Sequence, residues 1–321
     1  MGNGSELWEN AVPRVIAILG PTCSWKSEIA LHIARELAGE IVSCDSMQVY
    51  RQLSIGVAKP SDRELSSIPH HLVNQLDMTE KADANWFFGV AESVLADLKV
   101  RKVPGIVVGG TGLYARALLY NLDMLPASPH VYAGVEDDYA APDGRIRLLD
   151  ELEDHDAGTL DTPADVLNNP RRLLRAVEIK RITGLAPWHH PRPQPVPKSG
   201  VKQYVIRPEM PLLRARVSQR TQNMLDNGWI EETRALADAG LFDTPTARQA
   251  LGYREVHAFL CGEIPTREEL HAVLVSKTVR YARRQRTWFR GQHPEATVLA
   301  VAQETTALEL ADRVLCHLRE S

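Results

Sequence analysis

Three short apolar runs, RVIAILG (14–20), GEIVSCDS (39–46) and GIVVGGTG (105–112), each stop at a glycine or a small polar turn. After the first, Ile29, Ile33 and Leu37 recur at i, i+4 and i+8, and after the third the residues from Leu113 to Leu119 read as a helix. Strands without internal polar alternation are buried on both faces, and their regular exchange with helices predicts an α/β chain built on a parallel sheet with helices on either side. The second run is expected to carry its strand as far as Asp45.

In such a sheet the loops at the carboxyl ends of the strands converge on one edge, where ligands bind. The first of these loops is GPTCSWKS, made of Gly20, Pro21, Thr22, Cys23, Ser24, Trp25, Lys26 and Ser27. It fits the phosphate-binding pattern G-x-x-x-x-G-K-[ST] at Gly20, Lys26 and Ser27, but Trp25 stands where the second glycine belongs. In a P-loop, backbone N–H groups and a helix N-terminus face the phosphates, the lysine neutralises them, and the hydroxyl after it helps hold Mg²⁺. Trp25 removes a glycine's freedom and adds a large ring beside that cradle. If the backbone there needs positive φ, strain of about 1–3 kcal/mol follows. Asp45, at the end of the second strand, is a candidate proton acceptor, although a lone aspartate there is more often a turn cap. Gly109, Gly110 and Gly112 permit close backbone approach, and Thr111 offers a hydroxyl.

From 121 to about 167 the text changes. Prolines at 126, 129, 142 and 163 interrupt weak periodicity, and twelve acidic residues face only Arg145 and Arg147, a local balance of −10. The whole chain carries −4, which leaves the remainder at +6. An inserted, smaller helical domain is the economical reading, with a P-loop-type core in 1–120, the insertion and its linker in 121–198, and a helical return to the core in 199–321. NNPRRLLRAVEIKRITG predicts a helix with Pro170 in its first turn, Leu173, Leu174, Val177 and Ile179 on its apolar stripe, and Gly184 at its end. Positive charge gathers in KTVRYARRQRTWFR (277–290), where five arginines and one lysine meet no acid. This is a solvated face or, given the interleaved Tyr281, Trp288 and Phe289, a surface for nucleic-acid phosphates.

Four scattered cysteines without C-x-x-C spacing suggest neither a disulfide framework nor a zinc site. The chain starts without a signal-peptide pattern and has no run of about 18 apolar residues. A soluble cytoplasmic protein is expected, without membrane contact and as a monomer.

Taken together these segments resemble the bacterial form of the tRNA dimethylallyltransferase family, also called isopentenyltransferases. The family's usual loop, GPTASGKT, is similar to GPTCSWKS. DSMQVYRQLSIGVAKP, PHHL (69–72), VGGTGLYARALL, NNPRRLLRAVEI, RQALGYRE (248–255) and RYARRQRTWFR are similar to later motifs, in the same order. The resemblance covers most of the chain outside 121–167.

It implies transfer of a dimethylallyl group from its diphosphate to the exocyclic N6 of the adenosine following the anticodon, position 37, in tRNA. Lys26 and Arg220 would neutralise the departing diphosphate, with Mg²⁺ held near Ser27. Asp45 would orient the amine and take its proton, and Thr22 and Thr111 would guide the reacting groups. The base must leave its stack to reach a strand-end cleft, which an anticodon loop permits at lower cost than a duplex. Asp45, Ser46, Met47 and Gln48, with Gln249, Gly252, Tyr253 and Arg254, correspond to the family's contacts to that loop. Arg171 and Arg172, with Arg280, Arg283 and Arg284, can take backbone phosphates.

Three features depart from the family: Trp25, Val279 where an arginine is usual, and the acidity of the insertion, which repels phosphate unless it faces away. They leave open a prenyltransferase for a small acceptor such as an adenine nucleotide or an indole-like nitrogen, an RNA-binding paralogue with impaired catalysis, and a nucleotide kinase. On the sequence alone, Trp25→Gly is expected to lower the Michaelis constant for the prenyl donor.

Overall fold

A computed structural model describes residues 15–120, 125–153, 162–191 and 195–320. The chain divides into two compact units, Met1–Asn121 with Pro197–Ser321, and Leu122–Val196.

The first unit begins β1 (Val15–Leu19), α1 (Lys26–Glu36), β2 (Glu40–Ser43), α2 (Asp62–Ser67), β3 (His70–His71), α3 (Ala84–Arg101), β4 (Gly105–Gly109), α4 (Gly112–Leu119). The second unit holds α5 (Pro129–Ala140), α6 (Gly144–Leu152), α7 (Ala164–Leu167) and α8 (Pro170–Thr183). The first then resumes with β5 (Val201–Pro208), α9 (Met210–Asp226), α10 (Trp229–Asp238), α11 (Tyr253–Leu260), α12 (Arg267–Gln292), β6 (Thr297–Val301) and α13 (Ala307–Arg319).

The six strands form one sheet in the order β3-β2-β4-β1-β5-β6, and every pairing is parallel. The predicted α/β sheet is therefore present, with β1 at its interior. Two details differ from expectation. The second strand stops at Ser43, because Asp45 already belongs to a turn. The residues beyond 199 supply two strands as well as helices: β5 pairs along the whole of β1, and β6 closes the far edge.

Alternation within the strands sorts the core. Ile16, Ile18, Ile106, Tyr204, Ile206, Leu299 and Val301 pack with α1 and α13 in one buried cluster. Each fully buried aliphatic side chain contributes about 1.5–3 kcal/mol, so this layer anchors the end of β1 and the start of α1, between which the phosphate loop is strung.

In the second unit, Val135, Leu148, Leu152, Val166, Leu173, Leu174 and Val177 form a separate core. Helix α8 has the predicted bounds: Asn169 caps its N-terminus, Pro170 opens it, and Gly184 ends it with φ 80°. Part of the acidity is neutralised within this unit. Arg181 reaches both Asp138 and Glu151, Arg172 meets Asp165, and Arg175 meets the buried Glu178.

Candidate active site

The loop from Gly20 to Trp25 lifts the chain from β1 into α1. Cys23 and Trp25 both adopt left-handed backbone, with φ 61° and 63°. The N–H groups of residues 23–28 meet no acceptor among the described residues. Such a row of donors at a helix N-terminus is an anion cradle. Its rim is fixed from inside: buried Ser24 donates from Oγ to the Pro21 carbonyl at 2.7 Å, and Lys26 Nζ donates to the same oxygen at 2.5 Å.

Two partners from distant helices hold Thr22. Arg220 Nη2, on α9, donates to Thr22 Oγ1 at 2.5 Å, and the Thr22 N–H donates to Gln285 Oε1, on α12, at 2.9 Å. Gln285 is buried and spends its amide on the Gly110 carbonyl at 2.8 Å. One side chain thus ties the first strand-end loop to the third. A Cβ on Gly110 would stand 2.4 Å from Gln285 Nε2, which explains the glycine. Burial pulls the Lys26 ammonium down to about pKa 8; the Arg220 cation adds to this, while Cys23 and the Asp45 carboxylate oppose it.

The Trp25 ring is only partly buried. It packs against the α1/α13 core, and the Arg216 guanidinium lies over it with Cζ 3.5 Å from the ring centroid. Arg216 Nε also donates to the Cys23 carbonyl at 3.1 Å. The ring thus has a packing role, against the core and beneath Arg216. The other core departure, Val279, is buried with Cys23, Leu213, Val217 and Ala282, a small apolar patch beneath the loop.

At the end of β2, Asp45 is both turn cap and candidate base. Its Oδ1 accepts the N–H groups of Met47 at 2.9 Å and Gln48 at 3.3 Å. Thr111 Oγ1 accepts the Ser46 N–H at 3.2 Å, and the Thr111 N–H donates to the Cys44 carbonyl at 3.3 Å. The Asp45 charge acts on Lys26 and on Tyr281, whose phenol is pushed up to about 12, chiefly by burial. Thr22, Lys26, Asp45, Thr111 and Arg220 therefore share the carboxyl edge of the sheet.

The residues expected at RNA are less uniform. Ser46 and Met47 are half-buried, and the Gln48 amide is committed to Ser43 Oγ and the carbonyls of Val57 and Ala58. Gln249 and Arg254 are exposed, as are Arg280, Arg283 and Arg284 on α12 and, in the second unit, Arg171 and Arg172. Tyr253 differs from these: its ring is completely buried and its hydroxyl donates to Glu232 Oε1 at 2.6 Å, a bond that supports the fold. The same Glu232 accepts the N–H groups of Ile55 at 2.7 Å and Gly56 at 3.2 Å. Gly56 is required there, since a Cβ would stand 2.1 Å from Trp229 Nε1. Glu232, Gln285 and Arg216 were missed from sequence; only Gln285 left a signal, as a polar residue on the buried side of α12.

Among the described residues no group of three or more His, Cys, Asp or Glu side chains can hold a metal ion, and no helix is long and apolar enough to cross a membrane. The donor set, a serine hydroxyl at the start of α1 and unpaired N–H groups, suits Mg²⁺ that arrives with a diphosphate, since this ion is commonly held by substrate phosphates and few protein ligands.

The family described as IPP transferase matches residues 48–292, and that described as isopentenyl transferase matches residues 13–80. The chain belongs to the tRNA dimethylallyltransferase family. It is 39% identical over 288 residues to tRNA dimethylallyltransferase 1 of Citrifermentans bemidjiense, covering 86% of this chain and 89% of that one. It is 36% identical to tRNA dimethylallyltransferase 2 of Syntrophus aciditrophicus, covering 94% and 97%. Among solved structures, the full-length tRNA isopentenylpyrophosphate transferase of Bacillus halodurans superposes with a TM-score of 0.67 at 31% identity, covering 96% and 97% of the two chains. The IPP transferase match, residues 48–292, runs through the second unit as well as the first.

Proposed function

We propose that the protein transfers a dimethylallyl group from dimethylallyl diphosphate to N6 of the adenosine at position 37, next to the anticodon, in tRNA. The observation that carries this reading is the convergence of an unpaired N–H cradle, Lys26 and the Arg220–Thr22 pair with Asp45 and Thr111 on one sheet edge. A site with cations on one side and a carboxylate on the other suits displacement of an anionic leaving group by an amine that loses a proton.

In the reaction the allylic C1–O bond breaks as the N6–C1 bond forms, and diphosphate departs. The loop N–H groups, Lys26 and Arg220 stabilise the charge that grows on the leaving oxygen, the usual source of the largest catalytic term. Arg220 is held to Thr22, so this charge is positioned before substrate arrives. Asp45 takes the N6 proton through the oxygen not used to cap the turn. The Ser27 hydroxyl would help hold Mg²⁺ brought by the diphosphate, and the ion would supply further neutralisation of that charge. RNA is proposed to approach along the exposed arginines of α12 with Gln249 and Arg254, and along Arg171 and Arg172 of the second unit.

The test is incubation of protein with Mg²⁺, dimethylallyl diphosphate and unmodified tRNA, in parallel with AMP, followed by mass spectrometry of the digested products. A gain of one C5 unit on the tRNA adenosine is expected. A gain on AMP alone would make the small-acceptor reading the right one, and no gain with tRNA still bound would indicate a binding protein.

A further inference from the structure

Beyond the P-loop, a second cluster of cations lies apart from Arg280, Arg283 and Arg284, the arginines of α12 named above. A cavity of about 90 Å³ is lined by Pro21, Arg207, Arg286, Phe289, Arg290 and His293, on the face of β5 that α12 covers. None of the three arginines meets a carboxylate among the described residues, and Nη1 of Arg286 is buried without a hydrogen-bond partner. Arg207 and Arg290 both add to the effect of burial in making the Arg286 cation less favourable. Three like charges are gathered here at a cost.

His293 supplies an independent observation. Only 3% of it is exposed, its Nδ1 lies 2.8 Å from Gln203 Oε1, and its Nε2 is buried without a partner. The amide oxygen can only accept, so Nδ1 carries the proton and Nε2 is a bare acceptor. Burial, with help from Arg116, keeps this ring neutral by drawing its pKa down to about 4. A pocket lined by three guanidinium groups, one with an unpartnered buried N–H donor, and by one buried acceptor matches an oxyanion that also offers a hydroxyl. The cavity has room for a tetrahedral oxyanion.

We propose that Arg207, Arg286, Arg290 and His293 form a phosphate-binding subsite beside, and separate from, the P-loop. Two sources share this chemistry: a backbone phosphate of bound RNA with its neighbouring ribose hydroxyl, and free hydrogen phosphate or diphosphate.

Calorimetric titration of the full-length protein with inorganic phosphate, in a Lys26→Met background that weakens the P-loop, tests the site directly. Binding should persist in that background and weaken by about tenfold or more in Arg286→Gln, as expected when a charge-assisted hydrogen bond is lost. Arg207→Gln and Arg290→Gln alter exposed positions and should weaken binding while leaving the melting temperature in place. Phosphate binding that disappears with Lys26→Met, or that none of the three arginine substitutions changes, would overturn the proposal. The source is read from tRNA affinity against salt, an arm that rests on the proposed tRNA substrate where the titration does not. A salt slope reduced by about 1 in Arg207→Gln assigns the subsite to RNA, whereas an unchanged slope assigns it to free phosphate.

Discussion

The Arg216 guanidinium lies 3.5 Å above the Trp25 ring and donates from Nε to the carbonyl of Cys23, two residues earlier in the same loop. Trp25 accordingly serves as a platform for a cation that braces the loop, although its φ of 63° is a conformation bulky residues rarely adopt.

The two effects can be weighed. Glycine at position 25 would relieve strain of about 1–3 kcal/mol. It would also forfeit the packing of a partly buried ring, worth less than the roughly 1.5–3 kcal/mol of a fully buried side chain, and a cation–π contact of about 0.5–2 kcal/mol. Contrary to the expectation from sequence, Trp25→Gly should therefore lower the melting temperature slightly and raise the Michaelis constant for the donor by several-fold, while Trp25→Phe stays near wild type. Thermal melts and donor kinetics on both variants check this; a lower Michaelis constant in the glycine variant refutes it.

Asp45→Asn separates the base from the cap. Asparagine keeps an oxygen for the Met47 and Gln48 N–H groups but cannot take the N6 proton. Its turnover number should fall by about 10²–10⁴ with an unchanged melting curve, as measured by C5 transfer and circular dichroism.

The depressed pKa of Lys26 gives donor binding a pH dependence. Free protein loses the Lys26 proton as pH rises through about 8, and with it the charge that meets the diphosphate. The Michaelis constant for donor should climb above that pH, and binding there should take up a proton. Stability moves the other way. Between about 8 and the ordinary lysine value the unfolded chain binds the extra proton, so this residue's destabilising effect is complete below pH 8 and fades as pH rises through that window. Donor kinetics and melts from pH 7 to about 10 read both signs.

Glu232 joins the Ile55–Gly56 loop to Tyr253, and removing it leaves three donors without their acceptor. Glu232→Ala should cost about 2–4 kcal/mol and lower the melting temperature by roughly 4–16 °C. Tyr253→Phe, which removes one donor and leaves the other two bonds, should cost less than half as much; equal losses would mean that the backbone contacts contribute nothing.

Legibility from sequence followed the range of the interactions. β1, β2, β4 and the P-loop were readable because apolar runs ending in Gly20, Asp45 and Gly109 are local patterns. β5 escaped notice since Lys202, Gln203 and Arg207 break its apolar run just after a proline-rich stretch, and β6 because an edge strand exposes alternate residues. In the candidate site, Lys26, Asp45 and Thr111 are readable from loop chemistry, whereas Glu232 meets Ile55 from 177 residues away in sequence and leaves no local trace. Gln285 sits within an arginine-rich run whose charge drew attention away from the buried Val279, Ala282, Gln285, Phe289 stripe.

The second unit leaves the first at Tyr120 and returns at Pro197, which form an antiparallel bridge, with the Lys198 N–H donating to the Leu119 carbonyl at 2.9 Å. The long excursion between β4 and β5 thus begins and ends at one point. For the order of folding this matters: β5 must find β1 across that excursion, and distant pairings form slowly because chain closure precedes any reward. An insertion that gathers its own helices first draws residues 120 and 197 together and shortens the loop that remains. Because its ends already meet, the second unit adds chain between β4 and β5 without holding the two strands apart.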